Sequence, residues 1–405
     1  MLTSATWSNF KLYGPQTTFP FAPITVLTGA NGRGKSTALQ PLLCLAQSRL
    51  HSFTEPVRLS GEFVQLGTFG DVRNRDVPER EPILWTLEFT DSEADVWVVT
   101  MTLTEDAREP GFVRVVSIEV EEPLRDSVAP RRFTPVSERP MLEELWKVLS
   151  DDINPSPSAR ALLRWPALQL RNLRFVSADR LGPQSFVPRE VLDDRFSVGP
   201  RGERTVEVLG RAIDAQMPLS EARFAPSASL VPGTVFDQAG AWMNWIFDGA
   251  GIKVESTDLV RTLRMNADSG TRYARPSNTG YGFTCLLPLI VEGLIAEKGS
   301  VFVMENPEAH LHPWAVSRFA CFVAMLANDG VQLCVETHSE HFLNGLRLEI
   351  ANKHLRHNDV SVLFFRKHEV APVLRVEILP DGRIEQWPDG FFDTAAIALA
   401  KLHGF

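Results

Sequence analysis

The sequence predicts an α/β fold with a central, mostly parallel sheet, an antiparallel β meander and a mostly helical lobe. The first observation is a set of short apolar runs typical of parallel strands buried on both faces, at residues 24–27, 300–304 and 331–336. The second is a set of β-rich runs separated by short polar turns, at residues 83–90, 95–103 and 111–120. The third is the helix-forming pattern that recurs between residues 131 and 295.

Composition supports an ordinary globular chain. It has 405 residues, 44% of them hydrophobic, which is enough to bury a large core and excludes disorder of the whole chain. Its 41 Lys and Arg against 50 Asp and Glu give a formal net charge of −9. This balance argues against a protein coated in positive charge for nucleic-acid binding, although a local basic patch is compatible with it.

The cysteines and the apolar runs indicate a cytoplasmic location. The four cysteines lie far apart in apolar surroundings without a CxxC spacing, and we expect buried, reduced thiols at Cys44, Cys285, Cys321 and Cys334. The longest apolar run, residues 285–295, is shorter than the roughly 20 residues that a membrane span needs. The N-terminal stretch has no charged leader followed by an apolar segment. We therefore expect neither export nor a membrane anchor.

The strongest motif lies near the N-terminus. Residues 29–36 (GANGRGKS) match G-x-x-x-x-G-K-[ST] between a predicted strand and a predicted helix at residues 36–47. The glycines let backbone N–H groups surround a phosphate, Lys35 would bridge the β and γ phosphates, and Ser36 would ligate Mg²⁺. The predicted ATP-binding residues are Gly29, Ala30, Asn31, Gly32, Arg33, Gly34, Lys35, Ser36 and Thr37.

Acidic and histidine-rich segments follow two of the predicted strands. Residues 305–313 (ENPEAHLHP) come after the strand at 300–304, and residues 336–339 (ETHS) end the next one. Parallel sheets place their ligands at the carboxyl edge of the strands. Because a P-loop needs an acidic residue at such an edge to hold Mg²⁺, we expect these segments to complete the nucleotide site.

Taken together, these motifs resemble ABC-type ATPases of the SMC and OLD-like group. The similarity is greatest to short prokaryotic, Septu-like members that carry ENPEAHLHP and lack a Toprim nuclease domain. Further segments that carry the resemblance lie at residues 9–11 (NFK), 61–72 (GEFVQLGTFGDV), 177–180 (SADR), 278–288 (NTGYGFTCLLP) and 387–393 (WPDGFFD). The resemblance implies a P-loop NTPase with an ABC-type ATPase head.

The resemblance also assigns roles to individual residues. Glu305 takes the place of the Walker B acid, and His338 matches the switch histidine that senses the γ-phosphate. Residues 278–284, with Thr279, Gly280 and Gly282, occupy the signature position that caps the ATP of the opposite subunit. Gln65 is the counterpart of the Q-loop glutamine, so the implied Mg²⁺ ligands are Ser36, Glu305 and Gln65. A head-to-head dimer around two ATP molecules follows from this assignment.

Two departures from the family pattern concern hydrolysis. The usual Asp-Glu pair is replaced by Glu305-Asn306, and an amide cannot accept the proton of the attacking water. Glu308 is the nearest substitute, so the predicted catalytic residues are Glu305, Glu308 and His338. The signature segment also differs from LSGGQ. We therefore expect slow hydrolysis or an ATP-gated switch.

Other interpretations of the same residues stay open at this point. A Zn or Mn site could form from His310, His312, His338 and His341 with Glu305, Glu308 and Glu336, which would make the chain a metal-dependent nuclease regulated by ATP. The arginines between residues 160 and 180 could line a nucleic-acid groove. Arg180 could equally brace the inserted region against the ATPase core.

The predicted organisation is one interleaved head. Residues 1–130 with 296–380 form lobe I, which carries the P-loop, meander, Walker B segment and switch histidine. Residues 131–295 form lobe II with the signature segment, and residues 381–405 form a small C-terminal module packed on the head.

The resemblance leads to a functional hypothesis. It predicts a dimeric ATPase subunit of a prokaryotic anti-phage defence complex that uses ATP and Mg²⁺ to control a partner effector, such as a nuclease. A DNA-repair or DNA-end-processing ATPase is the alternative from another class.

Overall fold

The computed structural model defines most of the chain. It describes residues 1–48, 57–78, 81–90, 96–106, 112–121, 131–133, 170, 172–182, 184, 186–189, 196–226, 228, 230–268, 270–366, 372–392, 398–399 and 401–402. Among these residues no helix is both long and apolar enough to cross a membrane. The described cysteines, which include all four, are free thiols, and Cys321 is only half-buried.

The elements are named here in chain order. The strands are β1 (Leu2–Ser8), β2 (Thr17–Pro20), β3 (Ile24–Gly29), β4 (Val57–Arg58), β5 (Ile83–Thr90), β6 (Val96–Glu105), β7 (Phe112–Glu121), β8 (Arg131–Phe133), β9 (Arg174–Val176), β10 (Val187–Pro188), β11 (Gly251–Ser256), β12 (Val260–Asn266), β13 (Val301–Glu305), β14 (Gln332–Glu336), β15 (Val360–Phe365) and β16 (Val373–Val376). The helices are α1 (Lys35–Gln47), α2 (Phe69–Val72), α3 (Thr205–Asp214), α4 (Val235–Phe247), α5 (Tyr281–Ile295), α6 (Pro313–Asn328) and α7 (Glu340–Ala351).

The chain divides into two compact units. The first comprises Met1–Ala22 and Gly34–Leu173, and the second comprises Pro23–Arg33 and Arg174–Phe405. The two predicted lobes instead group segments by their roles in a nucleotide site. This division into lobes stays a prediction. Most of residues 131–173 lies outside the described part of the chain.

The first unit contains an antiparallel sheet in the order β2-β1-β5-β6-β7-β4, with β8 beside β7. Alternate residues of β5 are buried, because one face of the strand packs on the core and the other does not. Trp7, Phe10 and Trp85 form edge-to-face contacts in this core. The indole N–H of Trp7 donates to the carbonyl of Ala38 at 2.9 Å and so fixes α1 to the sheet. The predicted meander of β5, β6 and β7 is confirmed.

The second unit contains a sheet in the order β16-β15-β3-β14-β13-β9. Its strands from β15 to β9 are parallel, and β16 runs antiparallel at the edge. The three apolar runs that predicted a parallel sheet are therefore neighbours in it. All six residues of β15 are buried, and the strand lies beside β3 as a continuous apolar strand of a parallel sheet does.

The region predicted to be mostly helical also contains strands. Helices α3, α4 and α5 lie there, but β10, β12 and β11 form a three-stranded antiparallel sheet beside them. The charged residues of the hairpin, which include Lys253, Glu255 and Arg264, obscure its alternation in the sequence. Residues 393–397, 400 and 403–405 of the predicted C-terminal module lie outside the described residues.

Candidate nucleotide site

The P-loop joins a strand to a helix as its motif requires. β3 ends at Gly29, and Gly34 is the N-cap of α1, which begins at Lys35. Gly29, Gly32 and Gly34 have φ angles of 132°, 71° and 98°. Side chains other than glycine rarely adopt such angles. Left-handed backbone of this kind turns successive N–H groups toward one side of the loop, which is the geometry of an anion-binding nest.

The three glycines differ in their surroundings. A Cβ atom at Gly29 would lie 2.4 Å from the carbonyl oxygen of Phe365, and one at Gly34 would lie 2.4 Å from the hydroxyl of Tyr13. A Cβ at Gly32 would meet nothing within 4 Å. Close packing therefore fixes both ends of the loop, whereas its tip at Ala30, Asn31 and Gly32 is exposed.

The start of α1 suits a phosphate group. Gly34 has no side chain with which to cap the helix, and the first turn contains no acidic residue. The first N–H groups and the positive end of the helix dipole therefore favour an anion. Lys35 is 4% exposed, and Ser36 and Thr37 are half-buried in this turn. The residues of the motif fit the triphosphate of a nucleotide.

Tyr13 supports the end of the P-loop, a role that sequence reasoning missed. Its buried hydroxyl donates to the carbonyl oxygen of Gly34 at 2.7 Å. Lys11, in the same turn, donates from Nζ to Gln40 Oε1 at 2.8 Å. The turn itself is closed by hydrogen bonds between Phe10 and Tyr13. The only sequence signal for this role is that Tyr13 lies two positions after residues 9–11, which carry part of the family resemblance.

Two carboxylates meet at the carboxyl edge of the parallel sheet. β13 ends at Glu305 and β14 ends at Glu336, and the two residues are partners in the strand register. Burial raises the pKa of Glu305, and the adjacent Glu336 raises it further, while a 3.1 Å hydrogen bond from the Ala178 N–H lowers it. A cation would relieve this repulsion. Carboxylate oxygens are hard ligands of the kind that Mg²⁺ prefers, so this edge fits a Mg²⁺ site.

Asn306 occupies a constrained turn beside this pair. Its φ of 43° lies in the left-handed region, which asparagine tolerates better than most residues. Its N–H donates to the carbonyl oxygen of Glu336 at 2.8 Å. Within the described part of the chain, its buried Oδ1 has no hydrogen-bond partner. This amide therefore presents an acceptor, but not a base, immediately after Glu305.

The structure brings Glu308 and His338 together. Glu308 Oε1 accepts a hydrogen bond from the His338 N–H at 2.7 Å, and Oε2 accepts one from the Thr337 hydroxyl at 2.8 Å. The N–H of Thr337 donates to the carbonyl of Leu27 in β3 at 3.0 Å. Thr337 thus joins the Glu308 carboxylate to the P-loop strand. Its place within the ETHS segment was the only signal of this role.

The signature segment packs against the loop that follows β13. α5 begins at Tyr281 with Gly280 as N-cap and no side-chain cap. The rings of Tyr281 and His310 lie 4.6 Å apart, and a Cβ atom at Gly282 would lie 2.5 Å from the carbonyl oxygen of His310. The Thr279 hydroxyl donates to the carbonyl of Pro276 at 2.8 Å. Asn278, Gly280 and Tyr281 are exposed, so this helix start faces outward.

Comparison with protein families bears on these features. A family profile described as "AAA domain, putative AbiEii toxin, Type IV TA system" matches residues 24–344, which is most of the chain. The chain belongs to this AAA-domain family. A second profile, described as "Protein of unknown function (DUF3696)", matches residues 355–402. No curated protein matches the chain.

Solved structures similar to this AAA-domain protein are heads of SMC proteins. An SMC head bound to the C-terminal winged-helix domain of ScpA matches with a TM-score of 0.52 and 14% identity, over 93% of this chain and 97% of that one. The SMC head from Thermotoga maritima matches with a TM-score of 0.43, 12% identity and coverage of 93% and 99%. An SMC head with an extended coiled coil, bound to the ScpA C-terminal domain and derived from Pyrococcus furiosus, matches with a TM-score of 0.48, 12% identity and coverage of 99% of both chains. The predicted fold class is confirmed, because this AAA-domain protein has the fold of an SMC head.

Gln65 lies in the first unit of the AAA-domain protein. Its side chain is exposed, and its Nε2 donates to the carbonyl of Gly61 at 2.6 Å. The surrounding loop is organised by Gln47, whose buried Oε1 accepts from the N–H groups of Phe63 and Val64. The Mg²⁺ role of Gln65 stays a prediction.

The alternative of a histidine metal site is not supported. Among the described residues, which include His310, His312, His338 and His341, no group of three or more His, Cys, Asp or Glu side chains could hold a metal. His312 instead caps α6, where its Nδ1 accepts from the Trp314 N–H.

The arginines considered as a nucleic-acid groove divide into two groups. Arg174 pairs with Glu292 at 2.9 Å, and Arg180 is buried against backbone carbonyls, so these two form no exposed basic strip. Arg160, Arg164 and Arg171 lie outside the described residues.

Proposed function

We propose that this AAA-domain protein is an ATP-binding, slowly hydrolysing ATPase. It acts as a regulatory subunit of a prokaryotic anti-phage defence complex and controls a partner effector, such as a nuclease, through ATP-dependent dimerisation. The observation that carries the ATP part is the P-loop, with three glycines in left-handed backbone before an uncapped helix. The defence role is supported by the resemblance to short members with ENPEAHLHP and by the toxin-system description of the family.

The nucleotide is held mainly by the P-loop. Backbone N–H groups of residues 29–34 bind the phosphates, and Lys35 neutralises charge between the β and γ phosphates. Ser36 and Glu305, with Gln65, hold Mg²⁺, which when bound offsets the charge of the phosphates. The pairing of Glu305 with Glu336 in the strand register supports this assignment, because two adjacent carboxylates favour a cation beside them.

Hydrolysis is slow because the proton acceptor is displaced. Asn306 cannot take a proton, so Glu308 acts as the base and His338 senses the γ-phosphate. The hydrogen bonds from Thr337 and His338 to Glu308 support a coupled action of these residues. Both carboxylate oxygens of Glu308 already accept a hydrogen bond, so the carboxylate is held in the turn at residues 337–338.

Dimerisation depends on the signature segment. The N-terminus of α5 is uncapped, and Gly280 and Tyr281 are exposed at its start. Thr279, Gly280 and Gly282 there bind the γ-phosphate of the ATP held by a second copy of the chain. The dimer therefore forms with ATP and separates after hydrolysis. The effector partner responds to this cycle of association and dissociation.

The first experiment compares Lys35→Ala with Lys253→Ala, which alters an exposed lysine paired with Glu255. Mg²⁺-ATP binding is measured by calorimetry and turnover by phosphate release. We expect Lys35→Ala to lower turnover about 100-fold or more and the control to resemble the wild type. Unchanged turnover in Lys35→Ala would contradict the P-loop assignment.

The second experiment tests the defence role. The chain is expressed with its neighbouring reading frames, and the plating efficiency of phages is measured. We expect protection that Lys35→Ala abolishes, and tagged chain to retain an effector protein in the presence of ATP. Turnover stimulated by DNA without any partner protein would instead favour the repair ATPase.

A further inference from the structure

Arg180 joins two strands of the parallel sheet at the edge where Glu305 lies. Its side chain is buried, with 6% exposed. Nη1 donates to the carbonyl of Ser177 at 3.1 Å and to that of Glu305 at 2.8 Å, and Nη2 donates to the carbonyl of Asn306 at 2.7 Å. One guanidinium thus links the segment after β9 to the end of β13.

The same guanidinium also lies against the signature helix. It interacts with the thiol of Cys285, in the second turn of α5, and with the charge of Glu308. Tyr281 also interacts with the Cys285 thiol, and its ring packs on His310 in the loop after Asn306. Arg180 is therefore in contact with both the acidic loop and the helix that carries the signature segment.

The partners of Arg180 differ from those of Arg223, another buried arginine of the second unit. Arg223, which is 5% exposed, pairs with the carboxylate of Asp329 at 2.7 Å in addition to backbone carbonyls. Arg180 has carbonyl oxygens and the Cys285 thiol as its hydrogen-bonded neighbours, and its buried Nε has no hydrogen-bond partner among the described residues. Burying a cation with such partial compensation costs stability, so its placement calls for another explanation.

We propose that Arg180 is a positioning residue that fixes the Glu305-Asn306 turn and transmits movement of the signature helix to it. The planar guanidinium holds two successive carbonyls and so sets the direction in which the Glu305 side chain leaves β13. When a second copy binds at Gly280, movement of α5 reaches the Mg²⁺ acid through Cys285 and Arg180. This proposal rests on the proposed function and adds a route by which dimerisation regulates it.

The test compares Arg180→Lys with Arg223→Lys, a matched change of another buried arginine in the same unit. Lysine keeps the charge but cannot span two carbonyls in one plane. We expect Arg180→Lys to raise the Mg²⁺ concentration for half-maximal turnover about 10- to 100-fold, as loss of groups that orient metal ligands does. Nucleotide binding measured in EDTA should be unchanged. Equal Mg²⁺ dependence in both variants would overturn the proposal.

Hydrogen exchange gives a readout that does not need turnover. We expect Arg180→Lys to speed amide exchange in residues 305–311 and 278–285 together, whereas Arg223→Lys leaves the 305–311 segment protected. Joint loss of protection in a protein that binds no ATP would refute the proposed function but leave the positioning role intact. Exchange that rises in only one segment would refute the coupling while ATP binding stands.

Discussion

The N–H of His338 donates a 2.7 Å hydrogen bond to Glu308 Oε1. The residue expected to accept a proton and the residue expected to sense the γ-phosphate are thus directly connected. Any change in the charge of Glu308 is felt at the turn that carries His338. The carboxylate that we propose as a substitute for the one missing at position 306 thus also shapes this turn.

Glu308→Gln separates the chemical role of Glu308 from its structural one. The amide oxygen can still accept from the His338 N–H, but the side chain can no longer take a proton. We expect phosphate release to fall about 100-fold and an ATP-bound dimer to accumulate. Turnover assays and light scattering after size exclusion measure the two effects.

Thr337→Val is the control for that change. It removes the hydroxyl that donates to Oε2 and keeps the carboxylate. We expect a loss of about 1 kcal/mol in the free energy of unfolding and a much smaller fall in turnover. If Glu308→Gln hydrolysed ATP normally, Glu308 would be an anchor of the turn and not the base.

Tyr13→Phe tests the support of the P-loop. The variant removes the 2.7 Å hydrogen bond to the Gly34 carbonyl and leaves the ring in place. We expect ATP affinity to fall about 5- to 10-fold, which is what one hydrogen bond of about 1 kcal/mol provides. Titration with a fluorescent ATP analogue measures it. An unchanged affinity would show that close packing alone fixes Gly34.

Gly282→Ala tests the contact between the signature helix and the loop after β13. Its Cβ would lie 2.5 Å from the His310 carbonyl oxygen, so the backbone must shift. We expect a loss of about 1–3 kcal/mol in the free energy of unfolding, measured in urea, and weaker ATP-dependent dimerisation.

Gly240→Ala is the matched control. The site lies within α4, where the nearest atom outside the helix backbone, Ile252 Cγ1, would be 3.6 Å from the new Cβ. Alanine there should stabilise the protein by about 0.5–1 kcal/mol. Equal effects of the two substitutions would argue against a tight contact at His310.

Asp329 accounts for part of the stability that we expect the protein to lose in acid. Burial acts to raise its pKa, but hydrogen bonds from Lys298 and Arg223 outweigh burial and hold the pKa below its usual value. A carboxyl group whose pKa is lower in the folded than in the unfolded protein stabilises the fold at pH values above its unfolded-state pKa. This stability is lost as the pH falls through its folded-state pKa. Its contribution is therefore complete at neutral pH and disappears below pH of about 4.

Asp329→Asn measures that contribution. It leaves the buried Arg223 without its charged partner, and we expect a loss of about 3 kcal/mol at pH 7. Urea unfolding at several pH values should show the gap to the wild type closing in acid. A gap that is constant down to pH of about 3 would assign the effect to packing instead.

Sequence patterns predicted the strands whose residues are either buried throughout or buried at every second position. β3, β13 and β14 are continuous apolar runs, and β5 alternates strictly. β15 is equally apolar. Its place in the sheet depends on pairing with β3, which no local pattern encodes.

Sequence patterns likewise predicted only part of the candidate site. Motif spacing predicted the P-loop, and the family resemblance singled out Glu305, Glu308 and His338 for catalysis. It did not reveal the contacts of Tyr13 and Thr337, because these side chains bond to groups that only the fold brings near. Arg180 was considered as a brace, but its carbonyl partners could not be read from the SADR segment.

The pairing of β3 with β14 and β15 also bears on how the protein is made. The P-loop strand leaves the ribosome early, yet its two neighbours begin at Gln332 and Val360. Until those residues are translated, β3 has no partner on either side and Gly29 is not held against Phe365. A nascent chain that stops before this point cannot form the sheet edge that carries Glu305, Glu336 and the start of the P-loop. We therefore expect a chain that stops before Val360 to lack the packing that holds Gly29 at the start of the P-loop.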